Sequence, residues 1–147
     1  DGYFGSCDPN EKKNYRFRCS GFIKSSNENV LIDTSPDLRS QLLTNNIKRV
    51  DRVLYTHLHG DQTHGINDLR VFFLQKKKVI PIYADKPTSR YLKKTFGYCF
   101  KNNPTKPITL DYPATLKLFP LKKNIFFLIL ILIVFQLIMA ILKVYVL

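Results

Sequence analysis

The residue types best suited to chemistry are concentrated in one short stretch. All three histidines of the chain, His57, His59 and His64, lie close together, and Asp61 lies between them. Alternate residues leaving a strand project to the same side, so His57 and His59 can direct imidazole nitrogens at a common point while Asp61 reaches the neighbouring space. Such donors suit zinc, manganese or iron. The stretch therefore predicts a metal site, whose ion would lower the pKa of bound water and polarise a phosphoryl or carbonyl oxygen.

Each of these histidines has a simpler explanation. A lone histidine at the end of a strand is more often a structural residue than a ligand. The clustering of three in a turn flanked by Gly60 and Gly65 favours the metal site over that alternative.

The elements that must position this turn show an alternating pattern. Apolar runs typical of strands cover residues 19–23, 30–33, 50–55 and 79–83. A helix is predicted after Thr34 or Ser35, where a capping hydroxyl precedes Pro36, and it ends at Asn45–Asn46. Two more helices are predicted, one from residue 66 that runs out in the lysine cluster at residues 76–78 and one over residues 86–96, while prolines leave residues 98–121 loosely defined. Strands alternating with helices predict a layered α/β domain.

The turn and its surroundings resemble a known family. Residues 56–70, Thr-His-Leu-His-Gly-Asp-Gln-Thr-His-Gly-Ile-Asn-Asp-Leu-Arg, look like the histidine signature of the metallo-β-lactamase superfamily. They are particularly similar to its phosphoribosyl cyclic phosphate phosphodiesterase-like branch. Residues 19–21, 31–39 and 96–100 fit the same pattern, and the similarity spans residues 1–121. The resemblance implies a metal-dependent hydrolase, a small phosphodiester as substrate and zinc or manganese as cofactor, and no residues are predicted to bind an organic cofactor.

Residue roles follow from the resemblance position by position. It implies that His57 and His59 bind the first metal, and that Asp61 binds the second and orients the hydroxide that attacks phosphorus. Gln62 stands where the usual pattern has a histidine, and an amide oxygen is a weaker ligand than imidazole. One or two ions are therefore expected.

Two further residues are candidates for supporting roles around the ligands. Asp33, at a strand end, could hold a ligand histidine in orientation or could instead cap the following helix. His64 matches no usual ligand position, so it could support a ligand or face the substrate, or it could only pack within the loop. Gln62 joins these two as a candidate supporting residue.

The resemblance covers only part of the family's fold. Family members supply a further histidine, a bridging aspartate and a final histidine from the second half of the fold, but no histidine follows His64. The expected architecture is therefore a partial αββα sandwich, about its N-terminal half, in residues 1–121. We expect a sequence truncated at both ends, an incomplete metal cage and little activity.

The last residues form an apolar block. Residues 125–142 contain one polar side chain, Gln136, and are long enough for a membrane-spanning helix. Residues 122–147 are therefore predicted to be a hydrophobic helical tail, either a membrane anchor or the product of a frameshift. The catalytic domain would be cytoplasmic, and membrane-anchored if the tail spans a bilayer.

Charge and cysteine content limit the partners. The net charge is +12, which would attract phosphate-bearing substrates, nucleic acid or an anionic membrane face, although coding bias towards lysine explains it equally well. No nucleic-acid motif is recognised, so nucleic acid is not an expected partner, and the oligomeric state is open.

The chain has three cysteines, an odd number that suits a reducing compartment: Cys7, Cys19 and Cys99. Cys19 and Cys99 are expected to be small buried hydrophobes. The alternative function is a membrane-anchored noncatalytic binding domain with a basic surface.

Overall fold

The computed structural model describes residues 5–101 and 114–121 and the backbone of residues 143–146. In chain order the elements are β1 (Gly21–Lys24), β2 (Asn29–Ile32), α1 (Leu38–Thr44), β3 (Arg52–Leu54), α2 (Gly60–Thr63), α3 (Arg70–Lys76), β4 (Ile80–Ala84), α4 (Lys86–Thr95), β5 (Leu116–Pro120) and β6 (Lys143–Val146). Short 3₁₀ helices cover Lys12–Asn14, Ile66–Leu69 and Gly97–Cys99.

The strands form one sheet in the order β5-β4-β3-β2-β1-β6. Strands β2, β3, β4 and β5 are parallel neighbours, and a helix lies between each consecutive pair in the sequence. Strand β1 pairs antiparallel with β2 as the predicted hairpin, and β6 pairs antiparallel with the other side of β1. The predicted α/β class is confirmed, and the carboxyl ends of β2, β3 and β4 meet at one edge of the sheet.

The hydrophobic core lies between the helices and one face of this sheet. Central strands contribute alternate residues to it, because successive side chains of a strand point to opposite faces. The cluster includes side chains from strands, helices and the turn after the histidines: Leu31, Val53, Ile82, Leu116, Leu38, Leu42, Ile66, Leu69, Phe72 and Leu92.

Helix α1 begins later than predicted. Its N-cap residue is Asp37, although Thr34 and Ser35 carry the expected capping hydroxyls. The Ser35 hydroxyl instead donates to Oε1 of the buried Gln41 and accepts from the backbone N–H of Asp37. Both partners lie within six residues of Ser35, so its hydroxyl binds the turn before the helix and a side chain of the helix itself. The end of the helix is as predicted, since α1 stops at Thr44.

Two other predictions are corrected by the structure. Cys19 is exposed and not buried, whereas Cys99 is buried as expected. Strand β5 lies in the stretch that the prolines left undefined. Pro120 ends this strand, and a proline is tolerated there because β5 is at the sheet edge and the missing N–H leaves no neighbour unpaired.

The predicted hydrophobic tail is described only at its end. Residues 125–142, the predicted membrane span, lie outside the described residues. Lys143–Val146 is a strand, so the prediction of a helix is wrong for these residues. Among the described residues, no helix has the length and apolar composition needed to cross a bilayer.

Candidate metal centre

The histidine turn begins where β3 ends, beside the carboxyl ends of the parallel strands β2 and β4. Tyr55 follows β3, is 1% exposed, and donates its backbone N–H to the Tyr83 carbonyl of the neighbouring strand. Its hydroxyl lies 2.7 Å from the Thr34 hydroxyl, and burial raises its pKa above the usual value. A buried tyrosine thus anchors the extended chain immediately before His57.

Three ligand-type side chains converge beyond this anchor. His57, His59 and Asp61 each offer one donor atom, and these atoms all lie within 4.8 Å of one another. The imidazole rings of His57 and His59 meet edge to face, with centroids 4.7 Å apart. All three side chains are exposed, so the cluster opens to solvent.

The local backbone explains this convergence. His59 is extended, with φ −63° and ψ 154°, so it continues the strand-like alternation that began at His57. Helix α2 starts at the next residue, Gly60, and Asp61 lies in its first turn, where a carboxylate suits the positive end of the helix dipole. The change from strand to helix therefore brings the carboxylate back beside the two rings.

A relay of hydrogen bonds runs from Asp33 through Thr56 to His57. The Thr56 backbone N–H donates to Asp33 Oδ1 at 2.8 Å, and the Thr56 hydroxyl donates to Asp33 Oδ2 at 2.7 Å. The same hydroxyl oxygen lies 2.9 Å from His57 Nδ1. Because its proton is directed to Asp33, the oxygen can only accept from His57, which places the ring proton on Nδ1. The Nε2 lone pair of His57 is then left to bind a cation.

Asp33 is held in an unusual backbone conformation to serve this relay. It follows β2 with φ +60°, a left-handed conformation that aspartate tolerates better than most residues. Its backbone N–H donates to the Leu54 carbonyl at 2.8 Å, which fixes it against the end of β3. Burial raises the pKa of its carboxyl group, while the hydrogen bonds from Thr56 and the proximity of His57 act in the opposite direction.

The loop after β2 and the histidine turn are bound to each other. The Thr34 backbone N–H donates to the Gln62 carbonyl, and the Gly65 N–H donates to the Thr34 carbonyl. A Cβ added to Gly65 would lie 2.0 Å from the Ser35 carbonyl oxygen and 2.8 Å from Leu38 Cβ. Only glycine allows this approach, so the position of the histidine turn depends on it.

The remaining three candidate residues have different surroundings. The Gln62 side-chain amide donates to Asp61 Oδ2 at 3.2 Å, which leaves Asp61 Oδ1 for another partner. His64 turns towards α4, where its Nε2 lies 3.1 Å from the Tyr91 hydroxyl and its ring meets Phe96 edge to face at 5.7 Å. Asp33 does not cap α1, because the helix begins after Asp37.

Two residues of this site were not singled out from the sequence. Thr56 connects Asp33 with His57, and its only sequence signal is its position directly before the first histidine. Tyr91 lies far along the chain on α4, and no local pattern connects it with His64. Contacts made through tertiary structure leave little trace in a single sequence.

Comparison with known proteins decides the family. A family model described as "Beta-lactamase superfamily domain" matches residues 28–126, which is more than half of the chain. The chain belongs to the metallo-β-lactamase superfamily. The prediction made from the histidine turn is thereby confirmed.

The chain is similar to three proteins that comparison identified. It is 32% identical to an octanoyltransferase of Porphyromonas gingivalis over 110 aligned residues. These residues make up 74% of this chain and 20% of that protein. The crystal structure of a new diphosphatase from the PhnP family is similar with a TM-score of 0.65 and 29% identity, over 80% of this chain and 44% of that one. It supports the predicted branch. YhfI from Bacillus subtilis, a metallo-β-lactamase fold protein, has a TM-score of 0.51 and 17% identity, over 72% and 39% of the two chains. The chain therefore spans less than half the length of each relative.

The donor set of this metallo-β-lactamase chain fits a divalent cation. Two imidazoles and a carboxylate suit zinc or manganese, and donors bound to one zinc ion would lie roughly 3.4 Å apart. The separations of up to 4.8 Å between the three donor atoms are close enough for small side-chain rotations to reach that spacing. The Nδ1 proton on His57 also matches the tautomer that a ligand bound through Nε2 requires.

Proposed function

We propose that the chain binds a divalent cation, zinc or manganese, through His57, His59 and Asp61, and that this site serves hydrolysis of a small phosphorus ester. The convergence of the three donor atoms within 4.8 Å carries the proposal. The described residues contain one such group of ligands, which favours one tightly bound ion over two.

The chain's own residues have distinct roles in this proposal. A bound cation would supply Lewis acidity and lower the pKa of water at the site. Asp33, acting through Thr56, keeps the His57 ring in one tautomer and one orientation. Gln62 donates to one carboxylate oxygen of Asp61, which leaves the other free to bind the cation or to accept a proton from the attacking water.

The proposed substrate class rests on a relative and on charge. The PhnP-family structure, at 29% identity, is described as a diphosphatase, and the resemblance of the histidine turn implies a cyclic phosphoribosyl phosphodiester. A diphosphate and a cyclic phosphodiester both carry anionic phosphoryl oxygens. A net charge of +12 would raise the local concentration of such a substrate. His64, held by Tyr91 beside Gly60, would line the side of the site that faces α4.

Metal content and turnover, measured on the same preparation, test the proposal. We expect about one zinc or manganese ion per chain and slow hydrolysis of bis(p-nitrophenyl) phosphate, with both lost in His57→Ala. The matched control is His64→Ala, which removes an imidazole of the same turn and should keep the metal. Absence of both metal and turnover in the unmodified chain would contradict the proposal and favour a noncatalytic binding domain with a basic surface.

A further inference from the structure

A cavity lies at the end of the sheet opposite to the candidate metal centre. Its volume is about 310 Å³, and it is lined by residues of β1, the start of β2 and the segment after α1: Phe22, Lys24, Asn29, Asn45, Asn46, Ile47, Lys48 and Arg49. Asn29 begins β2 and Asp33 follows its end, so about 13 Å of strand separates the two. We call this cavity the basic cavity, and it is separate from the three proposed metal ligands.

The lining of the basic cavity carries charge of one sign. Lys24, Lys48 and Arg49 are cationic, and no carboxylate is among the described residues that line the cavity. Within residues 5–101 and 114–121, neither lysine forms an ion pair. A cleft lined by cations concentrates their field and raises the local concentration of anions. The cavity therefore attracts a negatively charged group.

The acidic residues that adjoin this lining in the sequence are paired with other groups. Asp51 accepts from the Arg49 Nε at 2.7 Å and from the Asn29 backbone N–H at 2.9 Å. Glu28 accepts from the Arg52 Nε at 2.6 Å. The charge of Arg49 is thus compensated by Asp51, and the two lysines supply the excess positive charge of the cavity.

The end of α1 does little to offset this charge. Carbonyl groups at the carboxyl end of a helix carry partial negative charge when they lack partners. Here the backbone N–H groups of the three residues after the helix donate to the carbonyls of Gln41, Leu42 and Leu43. The helix end is therefore closed by its own chain, and an anion near the lysines meets few free carbonyls.

Three carboxamides add hydrogen-bonding groups to the cavity. The Asn29 amide nitrogen donates to the Arg49 carbonyl at 3.1 Å. The Asn45 amide nitrogen donates to the Gln41 carbonyl at 2.9 Å. Each of these bonds orients one side chain and uses one of its two amide protons, which leaves the second proton and the carbonyl oxygen for a ligand. Groups that both donate and accept suit hydroxyls, and Asn46 adds a third group of this type.

The size and the apolar part of the lining indicate an organic ligand. Phe22, which is 3% exposed, and Ile47 contribute apolar surface to the cavity. Sites for small organic molecules begin at about 300 Å³ and combine apolar surface with a few placed polar groups. An oxyanion would bind the lysines, and hydroxyl groups on its organic part would bind the carboxamides. A phosphorylated sugar has both features.

We propose that the basic cavity is a binding site for a phosphorylated sugar. Lys24 and Lys48 bind its phosphate, and the asparagines bind its hydroxyl groups. The site uses none of the proposed metal ligands, so this inference does not rest on the proposed function. A ligand in the cavity joins the end of α1 to the hairpin of β1 and β2, because the lining residues come from both.

Titration of the isotope-labelled full chain with glucose 6-phosphate, followed by NMR, tests this proposal. We expect saturable shifts of the side-chain amide signals of Asn29, Asn45 and Asn46. Glucose alone and inorganic phosphate alone should bind more weakly, since each supplies only part of the contacts. The shifts should persist in His57→Ala, which removes a proposed metal ligand.

A pair of matched double variants tests the role of the lysines. Lys24→Gln with Lys48→Gln removes two exposed cations from the cavity and should weaken binding by at least about 10-fold. Lys12→Gln with Lys13→Gln makes the same change in net charge in the exposed 3₁₀ helix near the start of the chain. This control should bind glucose 6-phosphate within a few-fold of the unmodified chain.

Four results would overturn the proposal. The first is the absence of saturable shifts at the three asparagine amides, and the second is shifts confined to residues 57–62, which would place the ligand at the candidate metal centre. Equal loss of binding in the two double variants would show attraction by the net charge alone. Inorganic phosphate that binds as tightly as glucose 6-phosphate would show that the cavity does not recognise a sugar.

Discussion

The Thr56 hydroxyl donates to Asp33 Oδ2 at 2.7 Å, and this contact determines which ring nitrogen of His57 carries the proton. Since the hydroxyl proton is committed to the carboxylate, the oxygen accepts from Nδ1 of the imidazole, 2.9 Å away. A residue at the end of β2 thereby orients a proposed ligand beyond the end of β3. Outer-shell contacts of this type usually contribute about 10- to 100-fold to metal affinity.

Thr56→Val keeps the shape of the side chain but removes the hydroxyl from this relay. We expect zinc to bind about 10- to 100-fold more weakly, because the His57 ring loses its fixed tautomer and orientation. Thr56→Ser retains the hydroxyl and should bind within a few-fold of the unmodified chain. Competition with a chromophoric chelator gives the affinities. Equal affinity in Thr56→Val and the unmodified chain would rule out the relay.

Gly65→Ala should destabilise the fold. The added methyl would lie 2.0 Å from the Ser35 carbonyl oxygen, so the two loops that hold the site must separate. Overpacking of this type costs about 1–3 kcal/mol. The measurement is the free energy of unfolding in urea.

Gly97→Ala is the matched control for this substitution, because a Cβ at Gly97 has no atom within 4 Å. It should leave the free energy of unfolding nearly unchanged. If the two variants were equally stable, the close approach at Gly65 would not constrain the turn.

How much of the site the sequence reveals depends on the distance over which each contact acts. The clustering of His57, His59 and Asp61 is visible because all three lie on one turn. The role of Asp33 stayed open between helix capping and histidine orientation, because the choice depends on which loop packs beside it. Its contact with Thr56 requires β2 and β3 to be parallel neighbours, which a local pattern does not specify.

The secondary structure is likewise predicted where the signal is local and missed where it depends on position in the sheet. Helix α4 is predicted well, since Asp85 caps it by accepting from the Thr88 backbone N–H and both signals lie in one turn. Strand β5 is hidden by prolines whose effect depends on the strand being at an edge. Strand β6 is part of an apolar block that reads as a helix, and only its pairing with β1 makes it a strand.

Asp51 should make stability depend on pH at acidic values. Burial would raise the pKa of its carboxyl group, but hydrogen bonds from Arg49 and the Asn29 backbone N–H, with Lys76 nearby, lower it overall. The ionised form is therefore favoured in the folded state. Its contribution is present above the unfolded pKa, about 3.9, and is lost as the pH falls through the folded value.

Urea unfolding of Asp51→Asn between pH 7 and pH 3 measures this contribution. The variant should be less stable than the unmodified chain by about 1 kcal/mol at pH 7, allowing for solvent screening. The difference should shrink towards zero below about pH 4. Asp8→Asn, in the exposed N-terminal loop, makes the same change in charge and serves as the control. A difference that stays constant with pH would refute the assignment.

Zinc binding by four proteins tests the central claim most directly: the unmodified chain, His57→Ala, His59→Ala and His64→Ala. Isothermal titration calorimetry should give about one ion per chain, lost or weakened by at least 100-fold when either proposed ligand is removed. His64→Ala should bind within a few-fold of the unmodified chain, since His64 contacts Tyr91 and Phe96. Tight binding that survives in His59→Ala, or that is lost equally in His64→Ala, would contradict the account.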